Sequence, residues 1–290
     1  MTRTITAKTI LSSIKPGTDS WFGLRYNMNL YRGCQHGCIY CDSRSNCYQL
    51  GDLSDIRIKE NALLLLEKEL KSKRERGTIG FGSMNDPYMP VEKSEELTRR
   101  ALQLVRRYRF PVHIITKSNL VLRDVDILKE IGKIYAAISL TITTTDDRLA
   151  KLIEPSAPVS SLRFEAIREL SEAGIYAGIT LMPVLPFITD DEENLLDIVY
   201  KAKEAGARYI LPSAGMTLRE GQREYYYEKL EKHFPGLKEK YIQTYGNQYG
   251  CSVPHADDLM NKIKTVCQAI DMPLRMNFYS PAKPEQMKLF

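Results

Sequence analysis

Cys34, Cys38 and Cys41 stand in the run Tyr31-Arg-Gly-Cys-Gln-His-Gly-Cys-Ile-Tyr-Cys-Asp42, a Cys-x3-Cys-x2-Cys triplet with Tyr40 just before its last member. Three thiolates on one short loop can hold three irons of a four-iron cluster and leave the fourth iron open to another ligand. A structural zinc site wants four protein ligands, and a cluster that only carries electrons wants four cysteines. The triplet therefore points to chemistry at an open metal position. The competing reading is a zinc site completed by His36 or Cys47. His36 is too close along the chain to its neighbours to serve easily as that ligand, and is expected to face solvent or the group at the open position. Cys47 reads as a small buried residue.

The six cysteines are not spread as a disulfide framework would be, since three fall within residues 34–41 of a 290-residue chain. Clustered thiols imply metal and a reducing compartment. No run approaches the roughly twenty apolar residues of a membrane span. Residues 1–20 carry Arg3, Lys8 and Lys15 without an apolar block and cleavage site, so a cytoplasmic protein is expected. Hydrophobic residues make up 43% of the chain, enough for one large α/β domain. The net charge of +5, from 41 basic and 36 acidic residues, permits a polyanionic partner without specifying one.

The elements that must position such a loop show as an alternation. Apolar, β-branched runs predict strands at Tyr26–Tyr31, Thr78–Gly82, Val112–Thr116, Tyr135–Ile142, Tyr176–Met182 and Arg208–Leu211. Amphipathic stretches predict helices over Ile58–Arg76, Ser94–Tyr108, Asp124–Ile131, Leu162–Ala173 and Leu195–Ala205, the last preceded by capping-box spacing at Asp190 and Glu193. Six strand–helix pairs predict a parallel sheet covered by helices. If it curls, it is a partial TIM-type (β/α)6 barrel with function on the loops after the strands. The cysteine loop follows the first strand, where such a fold would place its site. Beyond about Gly215 the pattern turns helical, over Arg219–Phe234, Leu237–Tyr245 and Ala256–Ile270. The expected organisation is an N-terminal extension (1–20), a core domain (21–215) and a helical C-terminal extension with a tail (216–290).

The triplet set in this rhythm resembles the radical S-adenosylmethionine (SAM) enzymes from about Asn27 to Ser213. Gly82-Ser-Met-Asn-Asp-Pro-Tyr88, Ile115-Thr-Lys-Ser118, Ser139-Leu-Thr-Ile142 and Met182-Pro-Val-Leu-Pro186 are similar to the strand-end motifs of the spore photoproduct lyase-like group. The resemblance implies a catalytic 4Fe–4S cluster on Cys34, Cys38 and Cys41, with SAM chelated at the open iron. An electron from a donor such as a flavodoxin or ferredoxin would then split SAM into methionine and a 5′-deoxyadenosyl radical. That radical would take hydrogen from an unreactive carbon. By the same resemblance Tyr40 flanks the adenine, and Ser83, Asn85, Asp86, Lys117, Ser118 and Ser139 hold SAM, with the Lys117 ammonium neutralising the methionine carboxylate.

The lyase itself is expected to carry a hydrogen-donating cysteine roughly where this chain has Ser83. No cysteine lies between Cys47 and Cys251, which suggests a relative with another substrate. Damaged or modified nucleic acid is the first substrate expectation, and a peptide or small molecule the second. A non-catalytic iron–sulfur or zinc protein is the reading from another class. Cys267 reads as core and Cys251 as packing, with hydrogen donation as its alternative. Tyr225, Tyr226, Tyr227, Tyr241, Tyr245 and Tyr249 read as a packed helix face. The closing Gln286-Met-Lys-Leu-Phe290 resembles the short peptides that dock bacterial DNA enzymes onto the sliding clamp, with Gln286, Leu289 and Phe290 as anchors.

Overall fold

The computed structural model describes residues 2–15 and 17–281, so the tail anchors Gln286, Leu289 and Phe290 lie outside the described residues. The first half runs β1 (Thr2–Ile5), β2 (Leu11–Ser13), β3 (Tyr26–Met28), β4 (Tyr31–Arg32), β5 (Ile56–Lys59), α1 (Ala62–Ser72), β6 (Ile79–Phe81), α2 (Glu92–Glu95), α3 (Leu97–Arg107), β7 (Val112–Thr116), α4 (Val125–Gly132) and β8 (Ala136–Thr141). The second runs α5 (Asp147–Ile153), α6 (Ser160–Glu172), β9 (Tyr176–Leu181), α7 (Glu192–Glu204), β10 (Ile210–Pro212), β11 (Gly215–Thr217), α8 (Gln222–His233), α9 (Leu237–Tyr245), β12 (Gly250–Ser252) and α10 (Ala256–Ala269).

The main sheet has the order β10-β9-β8-β7-β6-β3-β2. Its strands β3, β6, β7, β8, β9 and β10 are parallel, and β2 adds an antiparallel edge. A helical crossover joins each parallel pair, giving the expected partial (β/α)6 barrel. Both faces are covered, so most residues of the central strands are buried. All six residues of β8 are buried. Ala136, Ile138 and Leu140 pack under the helices with Leu102, Ile127 and Ile167, where each buried Leu or Ile contributes about 1.5–3 kcal/mol. Ala137 faces the other way, into a concave cluster with Tyr209, Leu211 and Met276.

Several local expectations are revised. The first predicted strand divides: β3 pairs with β6, whereas β4 turns away and pairs antiparallel with β5. β5 lies where a helix was expected to begin. Its buried Ile56 and Ile58 alternate with period two, so the segment suits a half-buried strand. Helix α1 starts only at Ala62 and ends at Ser72, short of Gly77. Strand β1 pairs with β5 and β2 with β3, so residues 2–13 are woven into the sheets. The helix expected from Ser94 is two helices, joined at Glu96 in the left-handed region at φ 49°. Helix α5 was not anticipated; Asp146 caps it by accepting from the Arg148 N–H. The cap of α7 is Asp191, which accepts from the Asn194 N–H.

Strands β11 and β12, separated in sequence by α8 and α9, form a small antiparallel sheet in which Met216 pairs with Cys251. Behind it Tyr226, Tyr241 and Tyr245 pack with Cys251 and with Cys38 and Tyr40 of the cysteine loop. Cys251 and Cys267 are each 1% exposed, consistent with the packing role read from the sequence. Gly82 carries the chain past the end of β7 at φ +97°, where a Cβ would sit 2.2 Å from the Ile115 carbonyl oxygen. Among the described residues no helix is long and apolar enough to cross a membrane.

Candidate active site

The cysteine loop leaves β4 and is held by backbone contacts on both flanks. Gly33, at φ +90°, lies so close to the Leu53 and Asp55 carbonyls that a Cβ would fall 2.8 Å from each. The Cys34 N–H donates to Leu53 O at 2.8 Å. The Ile39 N–H donates to Ile153 O at 2.9 Å, and the Ser156 N–H returns a bond to His36 O at 3.0 Å. The C-terminal end of α5 is thereby stitched to the loop. On the other flank the Asn85 amide donates to Tyr31 O, the Ser43 hydroxyl to Met84 O, and the Val91 N–H to Gln35 Oε1.

The three cysteines line one cavity of ≈ 390 Å³ at the carboxyl ends of the strands. Ser83, Asn85 and Asp86 after β6, Lys117 after β7, Thr141 of β8 and Met182 after β9 complete much of its wall. Ligand sites of α/β folds lie at this end of the sheet. Burial and the nearby Asp86 push the Cys34 thiol up to about 12. Burial raises Cys38 as well, against the pull of Lys117. A thiol ligates a metal as its thiolate, so metal binding here would release those protons. Three cysteines lining one cavity are the donor set that a multi-iron cluster with one open iron would take.

His36 is 2% exposed and lines the cavity, so of its two expected placements it takes the side of the bound group rather than solvent. Its Nε2 lies 3.1 Å from Asp86 Oδ2, and its buried Nδ1 has no protein partner, a position that a bound group or water can satisfy. Asp86 is a junction. It also accepts from Thr116 Oγ1 and from the Lys117 and Tyr88 N–H groups, at 2.7, 2.7 and 2.8 Å. Burial alone would raise its carboxyl; the His36 ring and these hydrogen bonds outweigh that and hold it at about 2.

Lys117 is largely buried, with Nζ 4.0 Å from Glu154 Oε1 and 5.6 Å from the Tyr40 ring centroid. Burial works against its charge, but Cys38 and Glu154 more than compensate, so its pKa is raised. Tyr40 lines the cavity and donates its hydroxyl to Glu154. The Ser83 hydroxyl sits between Asn27 and Asn29.

Two predicted contacts are not brought to this cavity. Ser118 turns its hydroxyl to cap the turn Asn119–Asp124, accepting from the Leu120 N–H at 3.2 Å. Ser139 is wholly buried in the barrel, bonded to His113 and Tyr209 at 2.7 Å each; Thr141, two residues on, is the cavity-lining residue of that strand. Glu154 and Arg163 were missed. The available signal was Arg163 itself, a charge sharing the helical stripe of Ala166, Ile167 and Leu170 on α6. Removing the junction should be costly. Asp86→Ala is expected to lower unfolding free energy by about 3–5 kcal/mol and to reduce the iron retained after anaerobic reconstitution. Asp197→Ala, which breaks the exposed helix pair with Lys201, should cost less than about 1 kcal/mol. Equal losses in chemical denaturation would contradict the role given to Asp86.

Comparison with known proteins agrees with this geometry. An uncharacterized protein of Methanocaldococcus jannaschii is 37% identical over 173 residues, covering 59% of this chain and 64% of that one, less than two thirds of its length. The radical SAM Nalpha-GlyT isomerase of Pseudomonas phage M6 is 26% identical over 184 residues, 60% of this chain and 38% of that protein. Among solved structures, spore photoproduct lyase complexed with a dinucleoside spore photoproduct superposes with a TM-score of 0.66 at 15% identity, over 93% of this chain and 79% of that one. The likeness establishes a shared fold. The radical SAM superfamily model matches residues 28–199, more than half of the chain and the stretch that supplies most of the cavity lining. This protein therefore belongs to the radical SAM superfamily, enzymes that use a 4Fe–4S cluster and SAM.

Proposed function

We propose that the protein cleaves SAM reductively and directs the resulting radical at a damaged or modified nucleic acid. The observation that carries the first part is the convergence of three cysteines and the Lys117 ammonium on one cavity. Cys34, Cys38 and Cys41 would hold the cluster. When bound, cluster and SAM together supply a one-electron break of the sulfonium, yielding methionine and a 5′-deoxyadenosyl radical. The chain's own part is to bind, orient and shield. Lys117 neutralises a carboxylate, the Tyr40 ring flanks an adenine, and Ser83, Asn85 and Asp86 border the same space. Burial of the loop keeps water from the reacting carbon.

Two observations favour a nucleic acid over a peptide. The shared fold belongs to an enzyme solved with a dinucleoside spore photoproduct. Cation–aromatic pairs also lie near the cavity mouth: Arg219 stands over Tyr48 and Tyr249 at 5.4 and 4.7 Å, and Arg44 over Tyr225 at 3.7 Å. Such pairs suit stacked bases and phosphates. Among the described residues no cysteine outside the triad lines the cavity. Hydrogen return from a thiol beside the substrate is therefore not part of the reading, and the reaction differs from the lyase's on that point. A flavodoxin- or ferredoxin-type donor would supply the electron. The tail residues Gln286, Leu289 and Phe290 would tether the enzyme to a sliding clamp.

Anaerobically reconstituted protein given reductant and SAM is expected to form 5′-deoxyadenosine. Cys38→Ala should form none. Cys47→Ala should retain its iron, because Cys47 is exposed and lies 3.2 Å from the Arg219 guanidinium; loss of iron there would overturn the ligand assignment. Fluorescence anisotropy with single-stranded DNA should show binding that weakens steeply with salt, as phosphate contacts release counterions. Absence of binding at low ionic strength counts against nucleic acid. Deleting residues 286–290 should abolish capture by immobilised clamp, and unchanged capture rules out the tether.

A further inference from the structure

Glu154 does not line the cavity, yet it touches two of the residues that do. It follows α5 and is 1% exposed. Its carboxylate accepts from the Tyr40 hydroxyl and faces the Lys117 ammonium at 4.0 Å. Its other oxygen lies 2.5 Å from Arg163 Nη2. A buried carboxylate costs several kcal/mol unless it is paired, and Arg163 provides the pairing. Arg163 is itself held rigidly, donating from Nε to Pro158 O and from Nη1 to Thr141 O, each at 2.8 Å.

We infer that Glu154 is a positioning residue for SAM: fixed by Arg163, it presents the Lys117 ammonium and the Tyr40 ring to the cosubstrate from behind the cavity wall. This rests on the proposed contact between Lys117 and SAM. A lysine's four-carbon stem leaves its ammonium mobile unless a partner anchors it. Glu154 supplies that anchor without occupying the space SAM needs. The same carboxylate fixes the hydroxyl of Tyr40, so ring and ammonium move together or not at all.

The charge-conserving variant separates an anchor from a mere neighbouring charge. SAM, with a sulfonium and an ammonium against one carboxylate, is a net cation, so a carboxylate acting only by its charge would be replaced by an aspartate without loss of binding. An anchor's loss frees Lys117 and weakens binding. Equilibrium dialysis of SAM against the anaerobically reconstituted protein reads this without turnover, with iron per chain and thermal midpoint measured alongside. Glu154→Asp keeps the charge and the neutralisation of Arg163 but withdraws the oxygens from Lys117 and Tyr40. It and Glu154→Gln are each expected to raise the SAM Kd about tenfold at full iron content. In a Lys117→Met background, Glu154→Gln should add less than about twofold, because both residues act through one contact. Unchanged or tighter binding in both Glu154 variants overturns the inference. Loss of iron in both does so too, since the network would then serve the cluster loop alone. Were Lys117→Met to bind SAM as tightly as the parent chain, the assignment of Lys117 would fall instead.

Discussion

The polar contacts of Asp86 join three loops at the strand ends, and the arrangement of the site follows from them. One carboxylate lies 3.1 Å from His36 Nε2 of the cysteine loop and accepts from the Thr116 hydroxyl at the end of β7 and from the N–H groups of Tyr88 and Lys117. Three thiols on an unsupported loop would be free to collapse on one another or oxidise. Here the loop is pinned to the chain after β6 on one side and to the chain after α5 on the other, so the sulfurs line a cavity. The backbone that carries Lys117 is fixed by the same carboxylate that fixes the loop.

A second carboxylate, Glu154, does for side chains what Asp86 does for loops. Together the two set a local balance of charge. Lys117 and Arg163 are cationic, Glu154 and Asp86 anionic, and burial strengthens each interaction relative to water. A cluster held by three thiolates would enter a site whose charged groups are already paired. Reorganisation on binding would be small. The cavity also borders the β11–β12 sheet and the tyrosine cluster packed behind it, so the C-terminal helices brace the site from behind.

Much of this was legible in the chain. Val112–Thr116 and Leu237–Tyr245 match their elements residue for residue, because the first is a β-branched run that follows Pro111 and the second is bounded by Gly236 and Gly246. The three cysteines were identified by spacing alone. What failed were features decided by tertiary pairing. Tyr31 and Arg32 look like the continuation of β3, and only their partners Ile58 and Arg57 draw them into another sheet. Ser139 lies on the concave side as its strand requires, but one layer too deep, where His113 and Tyr209 claim its hydroxyl. Ser118 was claimed by its own turn. Glu154 and Arg163 lie nine residues apart on separate elements, and no local pattern announces that they meet. The one clue was a charge on an apolar helical stripe.

The central claim is that three cysteine-bound irons leave a fourth free for SAM. Mössbauer spectroscopy of iron-57-labelled, anaerobically reconstituted protein tests it directly, with and without SAM. The account predicts a four-iron cluster in which one iron alone changes its signal when SAM is added. A cluster indifferent to SAM, or protein that takes up one tetrahedral zinc and no iron, would contradict it.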